Sequence, residues 1–398
     1  NIVEVKKADL EKVINKLFKG RLEIADVDYS QVNFAADADI YVELVTPAYV
    51  VLEQVLAQGL SKDLLTDTVV FNALMDALVI GLETSLAEAL APAVVRAVVA
   101  KLEGNSNEII SSVAKALDIE NVSDATIMND LYKVAEAARI ANELGIVSAI
   151  LHKEDIALTD AESYAELVAK VFEMNMVDAA FADVLVALVE AVANVDLSTT
   201  NLSNMDVEAE QATIVELVRN GVLLANSLGV ETVKGVKPFA KDYLSAVKAA
   251  VADAKDLAKS KEYLEAVKVA FNAVVDPIRE ADTAVIKETL ELVAELQLVE
   301  EAGLEIYKQA IYSKLDGVLA VIGDVHDYTN EQFAEDLSVF VEIADILYDS
   351  KIYTVITERT LPGEECIPQL EEAVKLACEL NIVEVKKADL EKVINKLF

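Results

Sequence analysis

Asn1 to Phe18, NIVEVKKADLEKVINKLF, recurs without a single change as Asn381 to Phe398, which sets a period of 380 residues (1 to 381). An exact repeat of this length does not arise by chance. Two origins remain: a tandem array of near-identical units, or ends that were duplicated by hand. The array is favoured, because the second copy stops inside a helix-forming run, just before the Lys19-Gly20 that continues the first. The opening Asn in place of Met agrees with a piece of something longer. The expectation is one period over 1–380 and the start of the next repeat over 381–398.

A period of that size has to bury its own core, and composition allows it. Hydrophobic side chains make up 54% of the chain, with only 12 Gly and 6 Pro, which excludes collagen-like and low-complexity structure. Lys plus Arg number 34 against 70 Asp plus Glu, a net charge of −36 that argues against nucleic acid or an anionic membrane as partner. The same charge leads us to expect that salt or mild acid promotes lateral association. The most apolar stretch, Val69 to Leu102, is interrupted by Asp76, Glu83, Glu88, Arg96 and Lys101, so no membrane span is expected. Cys366 and Cys378 are too few for a disulfide scaffold and too far apart along a helix starting near Pro368 to bridge. Both are expected to be free, Cys366 in a loop and Cys378 in an apolar stripe.

Weaker repetition runs inside the period. VDYS (Val27–Ser30), LDIE (Leu117–Glu120), VDLS (Val195–Ser198), VVDP (Val274–Pro277) and HDYT (His326–Thr329) each mark a corner between helical segments. Related tails follow, ANELGIV at Ala141–Val147, ANSLGV at Ala225–Val230, EEAGLE at Glu300–Glu305 and CELNIV at Cys378–Val383, with Gly or Asn where a helix C-cap takes a left-handed residue. Lys12–Tyr29 also aligns with Ala310–Tyr328 across one single-residue gap. The corners divide the period into helical subunits of roughly 28–117, 118–195, 196–275, 276–326 and 327–380. Their uneven spacing excludes a strict solenoid, and no TPR, ankyrin or HEAT signature occurs.

Within the subunits the periodicity is helical. Tyr263, Leu264, Val267, Ala270 and Phe271 share one face, while Lys261, Glu262, Glu265 and Lys268 take the other. Strand signals are thin, a brief alternation over Ile352–Ile356. The expected fold is all-α, an irregular helical repeat (α-solenoid-like) array of helical hairpins and bundles. Breaks are expected near Gly20–Asp39, Gly104–Asp124, His152–Asp160, Asn194–Asp206, Gly229–Pro238, Asp276–Asp282, Gly323–Asn330 and Glu358–Pro368.

Catalytic chemistry finds little to work with. His152 and His326 lack any HExxH, HxH or CxxC companion, the Gly229–Lys237 loop misses the phosphate-loop pattern, and no GxSxG occurs. No catalytic residue, cofactor or enzyme activity is expected, and neither His152 nor His326 is expected to lie in a pocket within hydrogen-bond reach of both a Ser or Cys and a carboxylate. One pattern suggests a cation: Asp26, Asp28 and Ser30, with Asp37 at the twelfth position, and Asn194, Asp196 and Ser198 set oxygens on alternate residues as a calcium loop does. Gln31 and Thr199 stand where such a loop needs Gly, so helix caps and turns are the plainer account of these residues.

A structural role is the leading expectation: a repeat unit of a long filament, stalk or surface fibre, outside the cell or at its surface. Its partners are adjacent copies of itself in the same chain and lateral filament neighbours. The alternative is a helical binding module or adhesin presenting repeated peptide, glycan or lipid-binding surfaces. The packing between repeats is expected on Leu10, Val13, Ile14, Leu17 and Phe18, and on their copies Leu390, Val393, Ile394, Leu397 and Phe398, an apolar face at helical spacing. In the second copy the expected cover is the preceding helix, Pro368–Leu380. The first copy is expected to stand more exposed.

Overall fold

The computed structural model describes residues 12–14, 16, 18, 24, 27–59, 61–106, 111, 114–177, 209–276, 281–296 and 330–381. The chain is all-α: helix makes up 76% of it, and no strand occurs among the described residues. Two compact units divide it, the first comprising Asn1–Val192 with Asp206–Val215, the second Ala193–Met205 with Glu216–Phe398.

In the first unit the described helices are α1 (Ala38–Glu43), α2 (Val45–Gln58), α3 (Thr68–Leu82), α4 (Ser85–Glu103), α5 (Asp124–Glu143), α6 (Ile146–His152) and α7 (Ala161–Phe172). Their starts are written in the sequence. Asp67 accepts from the Val69 and Val70 amides, Thr84 from Ala87, Ser123 from Thr126 and Asp160 from Ser163, each satisfying donors that the first helical turn leaves open. Pro47 has no N–H to return to Glu43, and the join between α1 and α2 falls there. α5 is central, packing on α3, α4, α6 and α7. Its inward face carries Ile127 into a core with Val99, Ala114, Ile119, Ala137, Met174 and Met176.

Helix α8 (Gln211–Ser227) begins in the first unit and ends in the second. The second unit continues with α9 (Val236–Lys259), α10 (Tyr263–Val275), α11 (Thr283–Glu295), α12 (Asn330–Asp349), α13 (Thr354–Thr357) and α14 (Ile367–Glu379). α9 and α10 form an antiparallel hairpin, because Tyr243 near the start of one donates to the Val274 carbonyl at the end of the other. α11 and α12 pair likewise through Thr283 to Asp345 and Lys287 to Glu342 (2.6 Å).

Several breaks fall where the sequence puts them, at 104–106, 116–123, 153–160 and 358–366, although Ser111, Ala114 and Lys115 inside the expected Gly104–Asp124 break are helical, and Gly145 (φ 72°) and Gly229 (φ 71°) take the left-handed cap conformation that their LG contexts suggest. After α8 the Val230 amide returns to the Ala225 carbonyl and Gly229 to Asn226, a complete Schellman closure. Other breaks, at Lys261 and Lys351, were not signalled. Both take the same left-handed conformation (φ 66° and 55°), as does Lys153 (φ 61°) within the expected His152–Asp160 break, and only backbone bonds such as Glu262 to Leu257 reveal the cap. The apolar stretch from Val69 to Leu102 is two helices, α3 and α4, bent by 111° at Glu83-Thr84. Val236 starts α9, so Pro238 lies inside its first turn rather than in a loop. The cysteines are both free, but their expected settings exchange: Cys366 ends a short 3₁₀ turn with its side chain buried, while Cys378 lies on the outward side of α14 with Val374 and Lys375. Asp183–Val195, whose Ala-, Leu- and Val-rich sequence predicts a helix buried on more than one side, lies outside the described residues.

Candidate functional site

The most constrained polar group of the first unit is a carboxylate. Asp130 sits on the inward face of α5, three residues after Ile127, and is 0% exposed. It receives the Met176 amide at 2.8 Å and the Asn175 side-chain amide at 3.1 Å, from the turn that follows α7. Lys133 lies 3.4 Å from the same carboxylate and donates to the Glu173 carbonyl at the end of α7. On the far side of the turn, Asp118 of the LDIE corner donates its amide to the Met176 carbonyl at 2.9 Å. A buried charge is tolerated only when its hydrogen bonds are filled, and here they clamp the chain at the exit of α7.

The second unit repeats the device. Asp336, at the same distance into α12, is 1% exposed and receives both the Asn381 amide (2.8 Å) and its side-chain amide (3.1 Å). Glu335 also accepts from Asn381 Nδ2 at 2.9 Å. Each Asp lies 45 positions before its Asn. The surroundings agree at the same offset of 206 residues (130 to 336): α5 with α12, left-handed Gly145 with Lys351, left-handed Lys153 with Arg359, the start of α7 at Ala161 with that of α14 at Ile367, and buried Met174 with buried Leu380. In sequence the match is Glu173-Met-Asn-Met-Val177 against Glu379-Leu-Asn-Ile-Val383. Sequence reading found the second of these tails and missed the first.

The calcium set is divided between two caps. Asp28 uses both oxygens on Ser30, accepting from its amide (2.7 Å) and its hydroxyl (2.8 Å). Asp37 is buried and accepts from the Ser85 amide and hydroxyl at the start of α4 (2.9 and 2.6 Å). Asp26, Asn194, Asp196 and Ser198 lie outside the described residues, and no group of three or more metal-binding side chains occurs among those described.

The first copy of the duplicated segment is described at three positions of its apolar face. Ile14 is buried at 5%, Phe18 is half-buried and Val13 stands 56% exposed, so Val13 lies off the covered side. The side chains of Leu10, Leu17, Leu390, Val393, Ile394, Leu397 and Phe398 lie outside the described residues.

His152 does acquire companions that the sequence did not announce. Its Nε2 stands 2.9 Å from Asp63 Oδ1, and its Nδ1 stands 3.3 Å from Ser148 Oγ one turn earlier on α6. The Asp63 side chain is 67% exposed, so the pair is open to water and screened. Physically it ties α6 to the 3₁₀ turn Lys62–Leu65. His326 lies outside the described residues.

Comparison with protein families, curated proteins and solved structures finds no match to this chain.

Proposed function

We propose that the chain is a structural tandem-repeat unit of a long filament, stalk or surface fibre, an α-solenoid-like array of helical hairpins and bundles lying outside the cell or at its surface. The observation that carries this reading is the place of Asn381. It opens the second exact copy of the duplicated segment, and its side-chain amide is bound by Asp336 as that of Asn175 is bound by Asp130, with the backbone donor shifted from Met176 to Asn381 itself. Asn175 stands at an interior joint, with chain on both sides. By analogy Asn381 is a joint too, and the segment it opens belongs to the next unit of an array. Clamping each joint to a buried carboxylate fixes the angle at which one unit hands the chain to the next, which a stiff fibre needs and a flexible linker does not.

Hydrogen exchange on a chain extended by one further period tests this. The internal copy of NIVEVKKADLEKVINKLF is expected to be protected to the degree seen in the turn at Asn175-Met176. An internal copy that exchanges as fast as free peptide overturns it.

A further inference from the structure

The outer face of α1 and α2 carries Val42, Val45, Tyr49, Leu52 and Leu56, exposed by 69, 63, 64, 57 and 85%. Their spacing of three, four, three and four residues is the seam of a helix built to pack lengthwise against another helix. The opposite side of α2, with buried Pro47, already packs on α3, so the stripe is a second apolar face. Ala38–Gln58 is long and apolar enough to cross a membrane, with a mean hydropathy of 1.4 and 6% of that window buried, but Asp39 and Glu53 run beside the stripe.

Charge selects the occupant. No Lys or Arg occurs between Arg21 and Lys62, while that span holds Glu23, Asp26, Asp28, Asp37, Asp39, Glu43 and Glu53. Two copies of the stripe packed face to face bring Asp39 and Glu53 of each copy towards each other, and a bilayer surface carries no net positive charge to attract this acidic stretch. The duplicated segment has the complementary pattern. Its second copy sets Leu390, Val393 and Leu397 at the same three-four spacing, flanked by Lys386, Lys387, Lys392 and Lys396. In the first copy Val13, with Lys12 and Lys16 beside it, is exposed while Ile14 is buried, so these counterparts of Val393, Lys392 and Lys396 face outward.

We infer that the α1–α2 stripe is a docking surface for the Asn381–Phe398 segment of a second copy of the chain, a helix-in-groove contact with apolar anchors and a lysine-to-carboxylate rim. The inference rests on the tandem-unit reading only in taking the segment as the element that reaches from one unit to another.

A labelled peptide of sequence NIVEVKKADLEKVINKLF, titrated into the full chain by fluorescence anisotropy, tests it. A parallel titration uses the chain carrying L390D/L397D, whose own segment cannot compete. Saturable binding is expected, weakened about tenfold or more by L52D/L56D. D39K/E53K is expected to weaken it similarly and to flatten its salt dependence. The positions substituted on the stripe and its rim are exposed, and unchanged circular dichroism checks that every variant folds. The proposal is overturned if the peptide binds neither chain, if L52D/L56D binds as well as the parent, or if zwitterionic vesicles bind the stripe while the peptide does not. Failure here leaves the exchange behaviour of an added period untouched, whereas failure of the array leaves peptide binding intact, so the two are separable.

Discussion

Asp130 Oδ1 accepts the side-chain amide of Asn175 at 3.1 Å, and 206 positions on (130 to 336) Asp336 Oδ1 accepts that of Asn381 at the same distance. Two buried carboxylates on equivalent helices therefore hold two equivalent joints. The first prediction concerns what each is worth. Asp130→Ala strands the Met176 amide without its acceptor inside the core, at a cost of about 2–3 kcal/mol. Asp124→Ala, which removes the exposed pair with Arg96, is expected to cost under about 0.5 kcal/mol. Urea denaturation monitored by circular dichroism checks both, and equal losses contradict the clamp.

Left-handed caps give a pair of opposite signs. A Cβ on Gly229 meets nothing within 4 Å, so Gly229→Ala costs only the backbone strain, about 1 kcal/mol. Lys261 already bears that strain at φ 66°, and Lys261→Gly is expected to stabilise by about 0.5 kcal/mol after the added freedom of the unfolded chain is subtracted. Calorimetry reads both as shifts of melting temperature, and shifts of the same sign contradict the prediction.

Those two caps also mark how far the sequence could be read. Gly145 and Gly229 were legible because glycine is the ordinary occupant of a left-handed cap, and the helix starts at Ser123 and Asp160 because expected breaks end there, whereas the start at Asp67 was not foreseen. Lys153, Lys261 and Lys351 were not, since lysine carries no turn signal and only the helices packed around it impose the conformation. Asp130 and Asp336 were hidden for a related reason. A carboxylate inside an amphipathic helix reads as solvated surface, and its true partner lies 45 residues away. The stripe from Val42 to Leu56 has a visible period, but periodicity reports an apolar face and not whether anything covers it.

Asp160 supplies the pH prediction. Its carboxylate is held below the ordinary value of 3.8 first by the Ser163 amide and then by the Ser163 hydroxyl. A depressed carboxylate contributes stability that is fully present above the unfolded value and is lost as pH falls through the lower folded value. Asp160→Ala is therefore expected to destabilise the first unit at neutral pH, with the difference from the parent shrinking below pH 3.8. A difference that stays constant through that range contradicts it.

Small-angle scattering on the present chain and on one lengthened by a further copy of 1–380 tests the tandem-unit claim most directly. The claim predicts that the maximum dimension grows by one unit length while the radius of gyration of the cross-section stays the same. A cross-section that thickens, with little gain in length, means that the second period folds beside the first, and it contradicts the claim.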